Sequence, residues 1–168
     1  NIHGYRGEIV YYGGSSAGRV TIRDCEIHDT NGDCISVSAE TTVEDCHLYS
    51  ATMAAIENTY TNYPERYINN VIHDCGITTG GGGMSLGHVA GGGVAGPLLV
   101  RGNLIYNCPS HGIQAVGLMN ARVIDNTFLD CAYTTNYRCL SFGTSAGRPL
   151  KDVEIRGNRF WAEAQNVQ

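Results

Sequence analysis

The chain has 168 residues, 42% of them hydrophobic, and a formal net charge of −5 at pH 7. This length and composition suit one domain, residues 1–168, whose core needs neither a metal nor obligatory disulfides. A single lysine, Lys151, and the lack of a basic stripe argue against a nucleic-acid partner, and the lack of a long apolar run argues against a membrane. Because the chain starts at Asn1 without an initiator methionine or signal peptide, we expect a mature product or a fragment of a longer protein.

A short pattern recurs along the chain. Its clearest copy is the run Asn-Leu-Ile-Tyr-Asn-Cys at positions 103–108. Five near-copies start at positions 25, 46, 70, 126 and 158, so successive copies are separated by 21, 24, 33, 23 and 32 residues. A repeat of slightly more than twenty residues that accepts insertions is typical of a solenoid, in which each repeat buries its apolar side chains against its neighbours.

Each repeat predicts three short β-strands, because apolar and polar residues alternate on both sides of the recurring Asn or Cys. The first strands are predicted at 20–22, 41–43, 67–68, 98–100, 121–123 and 153–155. The second strands follow the Asn or Cys itself. The third strands are predicted at 35–37, 56–58, 84–86, 113–115 and 140–142, with 9–11 as the third strand of an opening coil. About six coils at roughly 4.8 Å each predict a stack about 30 Å long.

The Asn residues before the second strands are expected to form a ladder inside the solenoid. An Asn amide both donates and accepts hydrogen bonds, and Asn tolerates the left-handed backbone conformation that tight turns use. We predict that Asn70, Asn103 and Asn126 stack in this way, with Cys25 and Cys46 in the equivalent places of the earlier coils.

The cysteines follow the same repeat. Cys25 and Cys46 share one repeat position, and Cys75, Cys108 and Cys131 share another. Coils about 4.8 Å apart suit buried thiols that pack as small hydrophobic groups, and they also meet the Cα separation of about 4.4–6.8 Å that a disulfide needs. Both interpretations stay open here. No metal ligands are predicted, since neither a CxxC nor a His-x₃-His spacing occurs.

These repeats resemble the right-handed parallel β-helix repeat family, the fold of pectate lyases, polygalacturonases, alginate lyases and many phage tailspikes. The resemblance extends from about Ile9 to Trp161. It implies an all-β protein, a right-handed single-stranded parallel β-helix of about six coils. Since unrelated functions share this fold, the function has to be argued from particular residues.

Two local motifs extend the resemblance. Asp33 lies in the segment 31–37, which is similar to the Gly-Asp-Asp-Cys motif of polygalacturonases with one Asp missing. His111 lies between Ser110 and Gly112, a stretch similar to the Gly-His-Gly motif of the same enzymes with Ser in place of the first Gly. The two matches are separated by two further coils, and no Arg-Ile-Lys follows them.

In enzymes of the β-helix family that these repeats resemble, the substrate lies along the sheet formed by the third strands. The resemblance implies an outward row of substrate-binding residues there, in a groove flanked by small residues such as Ala55, Gly83 and Gly112. The row comprises Ser36, Ser85, Gln114 and Ser141, with Glu57 between them. Hydrolysis needs two carboxylates at a defined separation, and Asp33 with Glu57 is the predicted catalytic pair. The alternative is an Asp that caps backbone amides, a Glu on the surface and an outward row that is simply the solvated side of a strand.

Elimination on a uronic-acid polymer would need a base and a group that neutralises the substrate carboxylate. His111 and Arg138 are the predicted catalytic residues for this chemistry, and His88 and Tyr137 are predicted to contact the substrate. The alternative is an ordinary surface role for all four. No cofactor is required, and Ca²⁺ is the one ion that lyase chemistry would add.

A second outward row follows the second strands, through His28, Tyr49, His73, Tyr106, Leu129 and Trp161. These side chains could hold sugar rings, or they could stack on one another as cross-strand pairs. Because Tyr49 separates His28 from His73, those two histidines are not expected to share a metal.

The leading hypothesis is an extracellular or cell-surface module that binds or processes an acidic or neutral polysaccharide, as a lyase or a hydrolase. The competing hypothesis is a structural or adhesive solenoid of a fibre, tailspike or surface protein. Uncapped coil ends would expose strand edges to another subunit, so self-association by end-to-end stacking or trimerisation is a further expectation.

Overall fold

A computed structural model describes residues 2–3, 10–12, 18–58, 63–77, 81–87, 97–134, 137–144 and 150–162. These ranges contain strands and no helix, hence no helix with the length and apolar character needed to cross a membrane. The strands are β1 (Ile2–His3), β2 (Val10–Tyr12), β3 (Arg19–Arg23), β4 (Glu26–Thr30), β5 (Ile35–Val37), β6 (Glu40–Glu44), β7 (His47–Ala51), β8 (Ile56–Asn58), β9 (Glu65–Ile68), β10 (Val71–His73), β11 (Gly82–Leu86), β12 (Leu98–Arg101), β13 (Leu104–Tyr106), β14 (His111–Val116), β15 (Met119–Ile124), β16 (Thr127–Leu129), β17 (Leu140–Gly143), β18 (Lys151–Arg156) and β19 (Arg159–Trp161).

The strands stack in three parallel sheets. Sheet A has the order β1-β4-β7-β10-β13-β16-β19, sheet B has the order β2-β5-β8-β11-β14-β17, and sheet C has the order β3-β6-β9-β12-β15-β18. The chain visits sheets C, A and B in turn, so β3–β17 form five complete coils. Strands β1 and β2 precede these coils, and β18 and β19 follow them. The predicted all-β parallel solenoid of about six coils is confirmed.

The core lies between the three sheets and is built by the two-residue alternation within each strand. In sheet A the register aligns one buried side chain from each of five successive strands: Ile27, Leu48, Ile72, Ile105 and Phe128. Burying a side chain of this size stabilises the fold by about 1.5–3 kcal/mol. The predicted first, second and third strands fall in sheets C, A and B respectively, which confirms the repeat alignment.

The predicted Asn ladder is present and is longer than expected. The Nδ2 atom of Asn70 donates to Oδ1 of Asn103 at 3.0 Å, and Asn103 and Asn126 each donate to the next Asn at 2.9 Å, so that the ladder ends at Asn158. Each Oδ1 also accepts from the backbone N–H of the residue one coil earlier, beginning with Cys46 at 3.0 Å from Asn70. The ladder therefore satisfies buried backbone groups at one corner of every coil it crosses.

The left-handed turn residue is not the Asn of the ladder, as the sequence had suggested, but the residue before it. Asp45, Asn69 and Asp125 have φ of 52°, 54° and 57°, and Gly102 occupies the same place with φ of 68°. Asp, Asn and Gly are the residues that adopt this conformation at least cost. The Asn side chain can therefore face inward because its neighbour makes the turn.

The small residues expected to border a groove on sheet B face the core instead. Ala55 is buried, and a Cβ atom added to Gly83 would lie 2.7 Å from Cγ2 of Ile105. A Cβ atom on Gly112 would lie 2.9 Å from Cδ1 of Phe128. The two glycines are small because backbone carbonyls of the next coil and side chains of sheet A together leave no room for a Cβ atom, and not because a polymer needs room outside.

The outward face of sheet C carries three cross-strand ion pairs among the described residues. Arg19 lies 2.9 Å from Glu40, Arg23 lies 2.6 Å from Glu44, and a third pair joins β15 to β18 at 2.8 Å. Exposed pairs of this kind stabilise a fold little, and they are typical of a solvated surface. The faces that offer other chemistry are the outward sides of sheets A and B.

Candidate functional site

The outward face of sheet B carries the row of polar side chains predicted from the sequence. The strand register aligns one member from each of five strands: Ser36, Glu57, Ser85, Gln114 and Ser141. Glu57, Gln114 and Ser141 are partly exposed, whereas Ser36 and Ser85 each keep only 8% of their surface exposed. The alignment of the row is as predicted, but these two serines are much less accessible to a ligand than an open groove would make them.

Asp33 is buried in the turn before β5. Its Oδ1 atom accepts a hydrogen bond from the backbone N–H of Ala54, in the next coil, at 2.7 Å. Glu57 pairs with Ser36, three residues after Asp33, which is about 10 Å along an extended strand. The structure therefore does not bring Asp33 and Glu57 into one exposed site, and Asp33 has the capping role that was the alternative in the sequence analysis.

Three other predicted residues do meet, where β14 begins. The Nδ1 atom of His111 lies 3.1 Å from the carbonyl oxygen and 3.2 Å from the backbone nitrogen of Arg138. The His111 ring meets the ring of Tyr137 edge-on, with 5.0 Å between centroids. His111 is buried, while the Arg138 guanidinium is exposed and donates to the carbonyl of Tyr137 at 2.9 Å. The buried imidazole therefore fixes the backbone that carries a cation and a phenol.

Glu57 does not belong to this group. Its strand β8 is separated from β14 by β11, a distance of about 9.6 Å across the sheet. His111 pairs with Gly82, whereas Glu57 pairs with Ser85, so the two are also offset by about 10 Å along the strands. The predicted catalytic residues Glu57, His111 and Arg138 therefore do not surround one sugar ring. His88 lies outside the described residues.

The outward face of sheet A carries a continuous stack of rings. His28 and Tyr49 lie 4.5 Å apart, Tyr49 and His73 4.9 Å, and His73 and Tyr106 4.5 Å, measured between ring centroids and with interplanar angles of 3°, 5° and 17°. The rings stack on one another, as one of the two interpretations predicted. Their faces are thus occupied by neighbouring rings, and ring edges are what the stack offers to a ligand.

His47 was not recognised in the sequence analysis. It lies on β7 opposite Val71, so it is diagonal to His73 on β10, and the Nε2 atoms of the two histidines are 2.8 Å apart. Burial and the nearby His73 hold the pKa of His47 below its usual value. The signal for this pair was present in the aligned repeats, because positions 47 and 73 both face outward on neighbouring strands and differ by two in register.

A shallow depression of about 700 Å³ lies beside His47, at the corner between sheets C and A. Its lining includes the carboxylates of Asp24, Glu26 and Asp45. Asp24 and Asp45 are there because the left-handed turn of successive coils selects such residues, so the acidic rim is a by-product of the turn geometry.

The interior also contains a buried polar triad that the sequence analysis missed. The hydroxyl of Tyr67 donates to Oε2 of Glu65 at 3.0 Å and accepts from Nδ2 of Asn58 at 3.4 Å. Burial raises the pKa of Glu65 to about 8, so this carboxyl group is protonated at neutral pH. Glu65 shares its repeat position with the inward-facing Thr41 and Leu98. Aligning the repeats would therefore have predicted that Glu65 is buried.

All seven cysteines are free thiols. Cys34, Cys75 and Cys108 are fully buried, in accord with their interpretation as packed apolar groups, and burial raises the pKa of the Cys46 thiol to about 11. In the part of the chain that the structure describes, no group of three or more His, Cys, Asp or Glu side chains is arranged to hold a metal ion.

Comparison with known proteins adds one finding. The family described as a right handed beta helix region matches residues 8–166, nearly the whole chain. No curated protein and no solved structure gave a match. The comparisons therefore support the architecture and leave the ligand to be argued from the surface.

Proposed function

Since the chain belongs to the right-handed β-helix family, we propose that it is an extracellular module that binds a polysaccharide along the outward face of sheet B. The observation that carries the proposal is the row of polar side chains aligned across five strands of this sheet. Strands about 4.8 Å apart repeat their hydrogen-bonding groups at close to the length of one sugar unit. An extended glycan running along the solenoid axis would meet such a group on the coils of Glu57, Gln114 and Ser141, whose side chains are accessible.

The accessible members of the row set the chemistry of the ligand. Glu57 and Gln114 offer an acceptor and an amide, and Ser141 offers a hydroxyl, in the combination that sugar hydroxyls require. The exposed Arg138 guanidinium at the end of the row would pair with a uronic-acid carboxylate. An acidic or neutral polysaccharide fits this surface, and Ca²⁺ would act only as a bridge to an acidic polymer.

Binding is favoured over cleavage by the positions of the carboxylates. Glycoside hydrolysis uses two carboxyl groups about 5–5.5 Å or about 6.5–9.5 Å apart at one sugar ring, and Asp33 is buried on a backbone amide instead of facing Glu57. Any cleavage would have to be an elimination at the cluster of His111, Tyr137 and Arg138, where a cation and a phenol adjoin.

A structural module is the second candidate, favoured by the apolar surface of the last coil. Ile155, Phe160 and Trp161 are 51%, 52% and 69% exposed in β18 and β19. A further coil or a second chain seated on this end would cover them, and the solenoid would then serve as a spacer in a larger assembly.

The test is a binding screen of the purified chain by affinity electrophoresis against pectate, alginate, hyaluronan and neutral glucans, with and without Ca²⁺. We expect one class of polymer to retard the chain. The double variant Gln114→Ala with Glu57→Gln should bind that polymer about tenfold more weakly, which corresponds to a loss of roughly 1.4 kcal/mol of binding free energy. The same mixtures are assayed for reducing ends and for the ultraviolet absorbance of unsaturated products.

Thr21→Ala, an exposed substitution on sheet C, is the matched control and should bind like the unaltered chain. If no polymer retards the chain, or if the control loses as much binding as the sheet B variant, the sheet B site is wrong. Unsaturated products that disappear in Arg138→Ala would replace the binding module with a lyase at the His111 cluster.

A further inference from the structure

The diagonal pair of His47 and His73 on sheet A is not used by the proposed polysaccharide site. Their Nε2 atoms face each other at 2.8 Å across neighbouring strands, on the side of the solenoid that sheet A forms. His47 also lines the acidic depression at the corner between sheets C and A, so this pair is at the protein surface. Two imidazole nitrogens held this close together are the simplest element of a transition-metal site.

A carboxylate orients one of the two rings. Oδ2 of Asp74 lies 2.6 Å from Nδ1 of His73, and Oδ1 of Asp74 accepts from the side-chain amide of Asn107. A carboxylate acts only as an acceptor, so Nδ1 of neutral His73 carries the proton and its Nε2 atom presents a lone pair towards His47. Metal-binding histidines are oriented in this way, by a hydrogen bond from the second ring nitrogen to a carboxylate.

The separation of the two nitrogens fits a shared ion. With metal–nitrogen bonds of about 2.0–2.1 Å, two imidazoles on one ion are about 2.9 Å apart at a right angle and about 3.3 Å apart at a tetrahedral angle. The observed 2.8 Å is within about half an ångström of both values. Without an ion, the same distance suits a hydrogen bond from the Nε2–H group of His47, and this proton would move to Nδ1 of His47 when an ion binds.

We propose that His47 and His73 form a surface site for a divalent transition-metal ion of the kind that imidazole prefers, such as Zn²⁺, with Asp74 as the positioning residue of His73. Since no third His, Cys, Asp or Glu completes a ligand group among the described residues, water fills the remaining coordination positions. The carboxylates of Asp24, Glu26 and Asp45 in the adjoining depression attract cations to this side of the solenoid.

The test uses Zn²⁺ as the probe and observes the histidine rings directly. The ¹⁵N-labelled chain is titrated with Zn²⁺ at pH 7.5, and the ring nitrogens are followed by long-range ¹H–¹⁵N correlation spectra. We expect the Nε2 signals of His47 and His73 to shift together at one ion per chain, while those of His28 and His111 stay in place. This readout separates the histidine site from Zn²⁺ bound to thiols, which leaves all ring nitrogens unshifted.

Variants then measure how much each residue contributes to the affinity for Zn²⁺. His47→Gln and His73→Gln should each weaken Zn²⁺ binding at least tenfold by calorimetry, and Asp74→Asn should weaken it about 10–100-fold through the orientation of His73. His28→Gln is the matched control, because His28 stands in the same ring stack with its own Nδ1 atom 2.9 Å from Asp29. If the ring-nitrogen signals of His47 and His73 do not shift with Zn²⁺, or if His28→Gln loses as much Zn²⁺ affinity as the other variants, the proposal is wrong. The pair is then only a hydrogen bond.

Discussion

At the level of single residues, the buried carboxyl group of Glu65 makes the stability of this β-helix depend on pH. The folded chain keeps the Glu65 proton up to about pH 8, because burial raises the pKa, whereas the unfolded chain releases it near the ordinary value of 4.5. Between these values the unfolded state binds fewer protons than the folded state, so the free energy of unfolding falls as pH rises. The contribution of protonated Glu65 to the free energy of unfolding is complete below about pH 4.5 and is lost by about pH 8.

We therefore expect Glu65→Gln to remove a slope that approaches about 1.4 kcal/mol per pH unit between pH 5 and pH 8, because Gln is a neutral mimic of the protonated acid. The measurement is the free energy of unfolding in urea across this range for both chains. Glu57→Gln, on the partly exposed row of sheet B, is the control and should keep the slope of the unaltered chain. Parallel curves for the unaltered chain and Glu65→Gln would refute the assignment.

Residues that break the local pattern were the hardest to predict. Glu65 and His47 are both polar, and polar residues in a solenoid repeat are assigned to turns or solvent unless the repeats are aligned position by position. Alignment shows that Glu65 occupies an inward position and that His47 is diagonal to His73. Which polar groups then bond to each other depends on rotamers, and those are set by packing that the sequence does not display.

At the level of elements, the Asn ladder is the feature that the sequence predicted best. Asn103 accepts from the backbone and the side chain of Asn70, and donates to Asn126 and to the carbonyl of Tyr67. A ladder follows from repetition alone, because any residue that recurs at one position of every coil must stack. The prediction that small residues of sheet B border a groove was wrong, because repetition does not show which side of a strand is filled. Only the packing contacts of Gly83 and Gly112 show that these residues face the core.

We expect Asn103→Ala to lower the free energy of unfolding by about 3 kcal/mol, because it removes the side-chain hydrogen bonds that Asn103 makes with the buried N–H of Asn70 and with the carbonyl of Tyr67. Urea denaturation monitored by circular dichroism measures the loss. Asn158→Ala at the partly buried end of the ladder should cost less than half as much. Equal losses at the two positions would mean that the ladder does not act through burial.

At the level of the whole molecule, the last described coil differs from the complete coils in the apolar surface that it leaves uncovered. Within the complete coils, apolar residues such as Ile77 are also exposed, which is ordinary for a protein surface. In β18 and β19 the residues Ile155, Phe160 and Trp161 are exposed together. Phe160 stacks on Phe128 of the coil before at 5.1 Å, so its other face is where the next layer of core would pack.

This end should therefore associate with a second copy of the chain. We expect sedimentation velocity to show a sedimentation coefficient that rises with concentration, and Ile155→Lys with Trp161→Lys to raise the dissociation constant at least about tenfold, since burying two ammonium groups at an apolar contact costs more than roughly 1.4 kcal/mol. Phe160 is left intact to preserve its stack on Phe128. Ile77→Lys introduces a single lysine at a residue that is 67% exposed within the complete coils, and it should leave association unchanged. A chain that stays monomeric at every concentration, or that responds equally to the Ile77 control, would show that the exposed apolar coil is not a contact between copies.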